Sequence, residues 1–97
     1  MMSVKQKDSE FIAATYGRFP IVITEGKGSL LKDEDGKEYI DLGTGIAVNT
    51  FGAADDEWIN AVTEQLNKIQ HTSNLYFTKP DTELAENRCI HGHSDVA

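Results

Sequence analysis

Asp41-Leu42-Gly43-Thr44-Gly45-Ile46-Ala47-Val48-Asn49-Thr50-Phe51-Gly52 is the stretch on which the reading of this chain turns. A strand pattern runs up to its first residues and a helical pattern begins just after its last. Between them lie three glycines among small and apolar side chains. Glycine serves where a backbone needs unusual dihedrals or a close approach. A loop of that kind between sheet and helix is where a binding site is built.

Upstream, Lys37 to Leu42 reads as the last strand of a meander, with Tyr39, Asp41 and Gly43 pointing one way and Glu38, Ile40 and Leu42 the other. Asp33-Glu34-Asp35-Gly36 is a hairpin signal, because Asp-Gly supplies the positive dihedrals of a tight turn. Ser29 to Asp33 and the β-branched Ile21 to Glu25 are the two earlier strands, with Gly26-Lys27-Gly28 as the turn between them. Before these, Ser3 to Tyr16 reads as a short helix stopped by Gly17 and Pro20. Three such strands are marginal alone and need something to pack on.

Downstream comes the clearest element. Asp55 is placed to cap a helix over Glu57 to Gln70, with Asp56 and Glu57 in the first turn, where the helix dipole favours acids. Trp58, Ile59, Val62, Leu66 and Ile69 recur at helical spacing and give it one apolar face. Gln70 to Lys79 is a loop whose Leu75-Tyr76-Phe77 centre is expected to be buried. Pro80 suits the start of a last helix, which is expected to fade after Glu86. Residues 87–97 then change in composition and show no helical stripe. The fold class expected is α/β, more narrowly an α+β segment of helix, three-stranded antiparallel meander and two helices.

The charge balance restricts partners. Nine basic against sixteen acidic residues leave −7 in a chain of 97, which repels nucleic acid and anionic membrane surfaces. No apolar run is long enough to span a bilayer, and the polar first ten residues do not read as a signal peptide. Cys89 is the only cysteine, so no internal disulfide forms. A reduced, cytoplasmic setting is expected.

Several chemical patterns fail on spacing. Gly43-Thr44-Gly45 follows a strand, but a dinucleotide fingerprint would need its third glycine at Val48 and a helix opening at the glycines. Cys89, His91 and His93 alternate at a spacing that is not a usual zinc pattern and has no fourth ligand. His71 and Ser73 lack an orienting acid. Asp55-Asp56-Glu57 reads as helix capping before it reads as paired carboxylates. Tyr16, where the chain turns, is either a packing anchor or a phenol facing a ligand.

One resemblance goes further. Tyr16-Gly17-Arg18-Phe19-Pro20-Ile21, Gly26-Lys27-Gly28, Asp35-Gly36-Lys37-Glu38-Tyr39-Ile40-Asp41 and Gly45-Ile46-Ala47-Val48-Asn49 come in an order and spacing that resembles the N-terminal part of acetylornithine aminotransferases. These are class III aminotransferases, which use pyridoxal phosphate. Gln70 to Tyr76 and Pro80 to Glu86 are similar to the segments that follow, so the resemblance covers about Phe11 to Glu86. It implies a fold-type-I transferase acting as a homodimer. The amino group of N-acetylornithine would pass through pyridoxal phosphate to 2-oxoglutarate, in arginine biosynthesis. Ornithine, succinylornithine and 4-aminobutyrate are the alternative donors within the class. A small, non-catalytic binding module is the alternative outside it.

The same resemblance assigns positions. It implies that Tyr16 lies in the substrate pocket and that Gly45 stands where ornithine-specific relatives have a bulkier tyrosine, leaving room for an acetyl group. Ile46, Ala47 and Val48 would line the same wall. Thr72, Ser73 and Asn74 would lie near the dimer interface. Many relatives carry Gly-His-x-His-Pro where this chain has Gly52-Ala53-Ala54-Asp55-Asp56. The family's phosphate-binding loop, its aspartate for the pyridine nitrogen and its Schiff-base lysine have no counterpart here. Residues 1–86 are therefore expected to be the N-terminal segment of such an enzyme, with no cofactor-binding residue and no activity alone. Residues 87–97 are expected to be a tail outside the match, as a truncation or shifted frame would produce.

Overall fold

Short strands closed by tight turns account for the first half of the molecule. In the computed structural model, which describes residues 1–92, β1 (Ile23–Lys27), β2 (Leu30–Asp33) and β3 (Glu38–Ile40) form an antiparallel sheet in the order β1-β2-β3. Lys27 pairs with Leu30, so the first turn is Gly28-Ser29 and not Gly26 to Gly28. Gly28 supplies its positive φ of 60°. Gly26 has a different duty: a Cβ there would lie 2.6 Å from Leu31 Cδ2 and 2.9 Å from the Ala53 Cβ. It is a packing glycine on the sheet face that receives Ala53. The register slips between Ile23 and Glu25, a bulge at Thr24 that bends the start of β1.

The second turn is held by its first residue. Asp33 Oδ1 accepts from the amides of Asp35 (3.0 Å) and Lys37 (2.9 Å), and Gly36 N–H donates to Asp33 O. Glu34 and Asp35 thus occupy the centre of the turn and Gly36 follows at φ 81°. The Tyr39 hydroxyl donates to Asp33 Oδ2 at 2.8 Å, and Lys37 Nζ lies 5.1 Å from the centre of the same ring. That hydroxyl, followed by the backbone amides of Lys37 and Asp35, holds the Asp33 carboxyl below its ordinary value. The Asp33 carboxylate in turn raises Tyr39 above its own.

The first helix, α1 (Val4–Phe11), is shorter than Ser3 to Tyr16. Ser3 and Gln6 form a reciprocal capping box at its start, each side chain accepting from the other's backbone amide. Phe11 and Ile12, at its end, are both exposed. Ile12 is already extended, at φ −111° and ψ 131°. Arg18 Nη1 reaches back to the two carboxylate oxygens of Asp8 at 2.9 and 3.1 Å.

α3 (Asp56–Lys68) follows the glycine loop and matches the periodic pattern within two residues at each end. Asp55 Oδ2 accepts from Trp58 N–H at 2.9 Å, the expected cap. Glu64 and Lys68 pair at 2.9 Å, which holds the Glu64 carboxyl below its ordinary value.

Residues 1–63 and those from Glu64 onward form two units. In the second, Ser73 organises a turn, accepting from Tyr76 N–H through its carbonyl and from Leu75 N–H through its hydroxyl. α4 (Lys79–His91) then runs five residues beyond Glu86. An apolar stripe is not needed for this: Asp81 sits in the first turn and Arg88 in the last, where each charge suits the dipole. Leu75-Tyr76-Phe77 is not buried, and Phe77 is 100% exposed. Indeed no described residue is buried, polar or apolar.

Candidate functional site

The glycine loop opens at Asp41, whose N–H donates to Ser29 O at 2.8 Å. Its carboxylate Oδ1 then accepts from the amides of Gly43 (3.0 Å) and Thr44 (2.9 Å). The chain next makes a single turn, α2 (Thr44–Ala47), of the opposite hand to an ordinary helix. Thr44, Gly45, Ile46 and Ala47 have φ of 50°, 65°, 57° and 63°. For L-residues this conformation costs roughly 1–2 kcal/mol each, and three of the four are not glycine. Strain of that kind persists only where surrounding structure enforces it, and it collects at ligand sites.

Hydrogen bonds enforce it here. Thr44 O accepts from Asn49 N–H at 2.9 Å, and Asn49 O accepts from Gly52 N–H at 2.9 Å. Thr44 Oγ1 accepts from Ala47 N–H, and Thr50 Oγ1 donates to Ala47 O. Past Gly52, Ala53 and Gly28 form a two-way bridge, with both N–H···O distances 2.8 Å. A Cβ at Gly52 would lie 2.8 Å from Gly28 Cα, so only glycine permits this approach. Lys27 Nζ closes the arrangement on Ala54 O and Asp56 Oδ1, each at 2.8 Å.

Of the residues assigned from sequence, Gly45, Ile46, Ala47 and Val48 thus form one left-handed turn and its first following residue. The space at Gly45 is open: an added Cβ would meet only Val48 Cβ at 3.7 Å. The restriction there is conformational, from the positive φ. Ile46 and Val48 are exposed, giving the turn an uncovered apolar surface. Tyr16 lies on the irregular segment between α1 and β1, is exposed, and no hydrogen bond among the described residues joins it to the turn. Thr72, Ser73 and Asn74 lie together in the second unit along an open groove of about 1190 Å³ formed by residues 65–83. Cys89 and His91 sit in the last part of α4, and His93 lies outside the described residues. Among the described residues, no cluster of three or more side chains suited to a metal ion is present. No described helix is long and apolar enough to cross a membrane.

What the sequence reading missed is the bracing by Lys27, Gly28 and Gly52. Its visible signal was Gly26-Lys27-Gly28, read as a turn because two glycines flank one residue. In the structure, one glycine packs and the other turns.

The class-III aminotransferase family matches residues 11–92, and the chain belongs to that family. Acetylornithine aminotransferase of Haemophilus ducreyi is 45% identical over 83 residues, which are 86% of this chain and 21% of that protein. The crystal structure of N-acetylornithine aminotransferase from Stenotrophomonas maltophilia covers 74% of this chain with 20% of its own, at 40% identity and a TM-score of 0.68. An omega transaminase from Pseudomonas jessenii, solved in complex with PMP, covers 95% of this chain with 22% of its own, at 25% identity and a TM-score of 0.82. The chain spans about a fifth of the length of these relatives.

Class III aminotransferases depend on pyridoxal phosphate. The residues of this chain do not fit that group. A lysine that forms an imine is activated by desolvation or a cationic neighbour, and no lysine here is so placed. Lys27, Lys68 and Lys79 are paired with Asp56, Glu64 and Glu83. Lys32 lies between Glu25 and Glu38, Lys37 lies over Tyr39, and Lys5 and Lys7 project from the exposed α1.

Proposed function

We propose that this chain forms one wall of the substrate pocket of a pyridoxal-phosphate-dependent aminotransferase acting on N-acetylornithine, with 2-oxoglutarate as amino acceptor, in arginine biosynthesis. The observation that carries this is the left-handed turn at Gly45, in a chain 45% identical to an acetylornithine aminotransferase. The turn gives the pocket a fixed backbone surface with no side chain at Gly45 and with Ile46 and Val48 beside it. Such a surface accepts an uncharged acyl group and offers nothing to a second ammonium group. That favours the acetylated donor over ornithine.

Tyr16 supplies a phenol on the same substrate. Thr72, Ser73 and Asn74 face the second subunit of a cytoplasmic homodimer. The role of this chain is binding and orientation; the groups that hold the cofactor are outside its residue set.

The test is a chimera in which residues 11–92 replace the matching segment of the Haemophilus ducreyi relative. Transamination of N-acetylornithine with kcat/KM well above that for ornithine is expected. A chimera that binds cofactor yet prefers ornithine would overturn the reading.

A further inference from the structure

Both ends of the glycine loop are fastened to one place. Its first residue hangs from Ser29 O through the Asp41 amide. Its last residues are fixed to Gly28 by the Ala53 bridge and to Lys27 through Ala54 O and Asp56. From those two attachments a continuous hydrogen-bonded path leads to Thr44. On one side it runs Ser29 O, Asp41, Thr44 N. On the other it runs Gly28, Ala53, then from the adjoining Gly52 N to Asn49 O and from Asn49 N to Thr44 O. Thr44 therefore has its amide and its carbonyl both held, from opposite ends of the loop, by the turn between β1 and β2.

We infer that the Lys27–Ser29 turn is a clamp that sets the left-handed Thr44–Ala47 turn, with Gly52 and Lys27 as positioning residues for the Gly45–Val48 surface. This rests on the reading of that surface as a substrate wall, but the clamp itself is tested without turnover. The backbone bridge carries most of the restraint. An exposed ion pair contributes little by itself, and the Lys27–Asp56 pair is exposed. Lys27 matters because its ammonium also takes up the carbonyl of Ala54, a residue held at φ 50°. Gly52 matters because any side chain there meets the Gly28 backbone.

Amide hydrogen exchange on the full chain, followed residue by residue, tests the clamp. The amides of Gly28, Asp41, Asn49, Gly52 and Ala53 are expected to be protected in the natural sequence. Unprotected exchange at all five would overturn the clamp. Lys27→Met is expected to speed exchange at Asn49, Gly52 and Ala53 roughly tenfold, as loss of a local restraint does, while Leu31 and Tyr39 in the sheet stay unchanged. Lys27→Arg, which keeps a donor for both acceptors, is expected to restore protection. Equal speeding across loop and sheet, or no rescue by arginine, would make Lys27 a general stabiliser and sink its positioning role. Gly52→Ala is expected to abolish protection at Ala53 and Gly28 while the Asp33–Lys37 turn remains ordered. Intact protection in that variant would remove Gly52 from the clamp. In the chimera, a loose loop with an unchanged preference for N-acetylornithine would keep the clamp and remove the wall.

Discussion

The carboxylate of Asp41 holds the amide of Thr44 at 2.9 Å, immediately before the backbone turns left-handed. The same oxygen takes the Gly43 amide, so one acceptor orders the two residues that lead into the strained turn. Asp41→Ala is expected to raise exchange at Gly43 and Thr44 roughly tenfold, the loss of a charge-assisted hydrogen bond. Asp41→Asn, which keeps a carbonyl acceptor, is expected to recover most of the protection. Exchange that is slow in Asp41→Ala would show that the turn is set elsewhere.

Acid and alkali are expected to loosen the β2–β3 turn by separate routes. The folded Asp33 carboxyl lies below its ordinary 3.8, so its contribution is complete above that value and is lost as pH falls through the folded value. Tyr39 lies above its ordinary 10.0; its contribution is complete below that value and is lost as pH rises through the folded one. Between those limits the Tyr39–Asp33 hydrogen bond is intact. Ultraviolet titration is expected to show a tyrosine ionising above the ordinary phenol value. Asp33→Asn is expected to bring that tyrosine back to the ordinary range; a titration unaltered in this variant would exclude the pairing.

Removing the cap of α3 has a predictable size. Asp55→Ala is expected to cost about 1 kcal/mol of helix stability, read as lower helicity by circular dichroism. Asp55→Ser, which retains an acceptor for Trp58 N–H, is expected to keep most of it. Equal loss in both variants would place the effect in charge and not in the cap.

The chain alone is expected to capture no cofactor. Incubation of the 97 residues with pyridoxal phosphate followed by borohydride should leave no stoichiometric adduct at any one lysine, because each ammonium is solvated or paired. A single labelled lysine in the peptide map would contradict this directly.

Side-chain size at Gly45 is the last point of test. In the chimera, Gly45→Tyr is expected to lower kcat/KM for N-acetylornithine at least roughly tenfold, a loss equivalent to about 1.4 kcal/mol, and to spare ornithine. Gly45→Ala separates the causes, since its Cβ has room but keeps the strained φ. A large loss in Gly45→Ala would assign the effect to backbone conformation.

What could be read in advance follows from how local each signal is. α3 was legible because its cap, its first-turn acids and its apolar spacing all lie within one segment. The meander was legible from Asp-Gly and β-branched residues, but its first turn was misplaced by two residues. Gly26 is there for Leu31 and Ala53, neighbours that sequence spacing does not reveal. The left-handed turn was illegible because Thr44, Ile46 and Ala47 do not favour it; hydrogen bonds from Asp41 and Asn49 impose it. Leu75-Tyr76-Phe77 was expected to be covered on composition alone, and no element among the described residues buries it.

The clamp also bears on the order in which the molecule becomes structured. Its partners are separated by a dozen residues at Ser29 and Asp41 and by 29 at Lys27 and Asp56. Loops of about ten residues close in roughly 10–100 ns, far faster than a ribosome adds an amino acid. Everything needed to bend Thr44–Ala47 into shape is present once Asp56 has been made. The segment at Gly45 is thus able to take its form during synthesis.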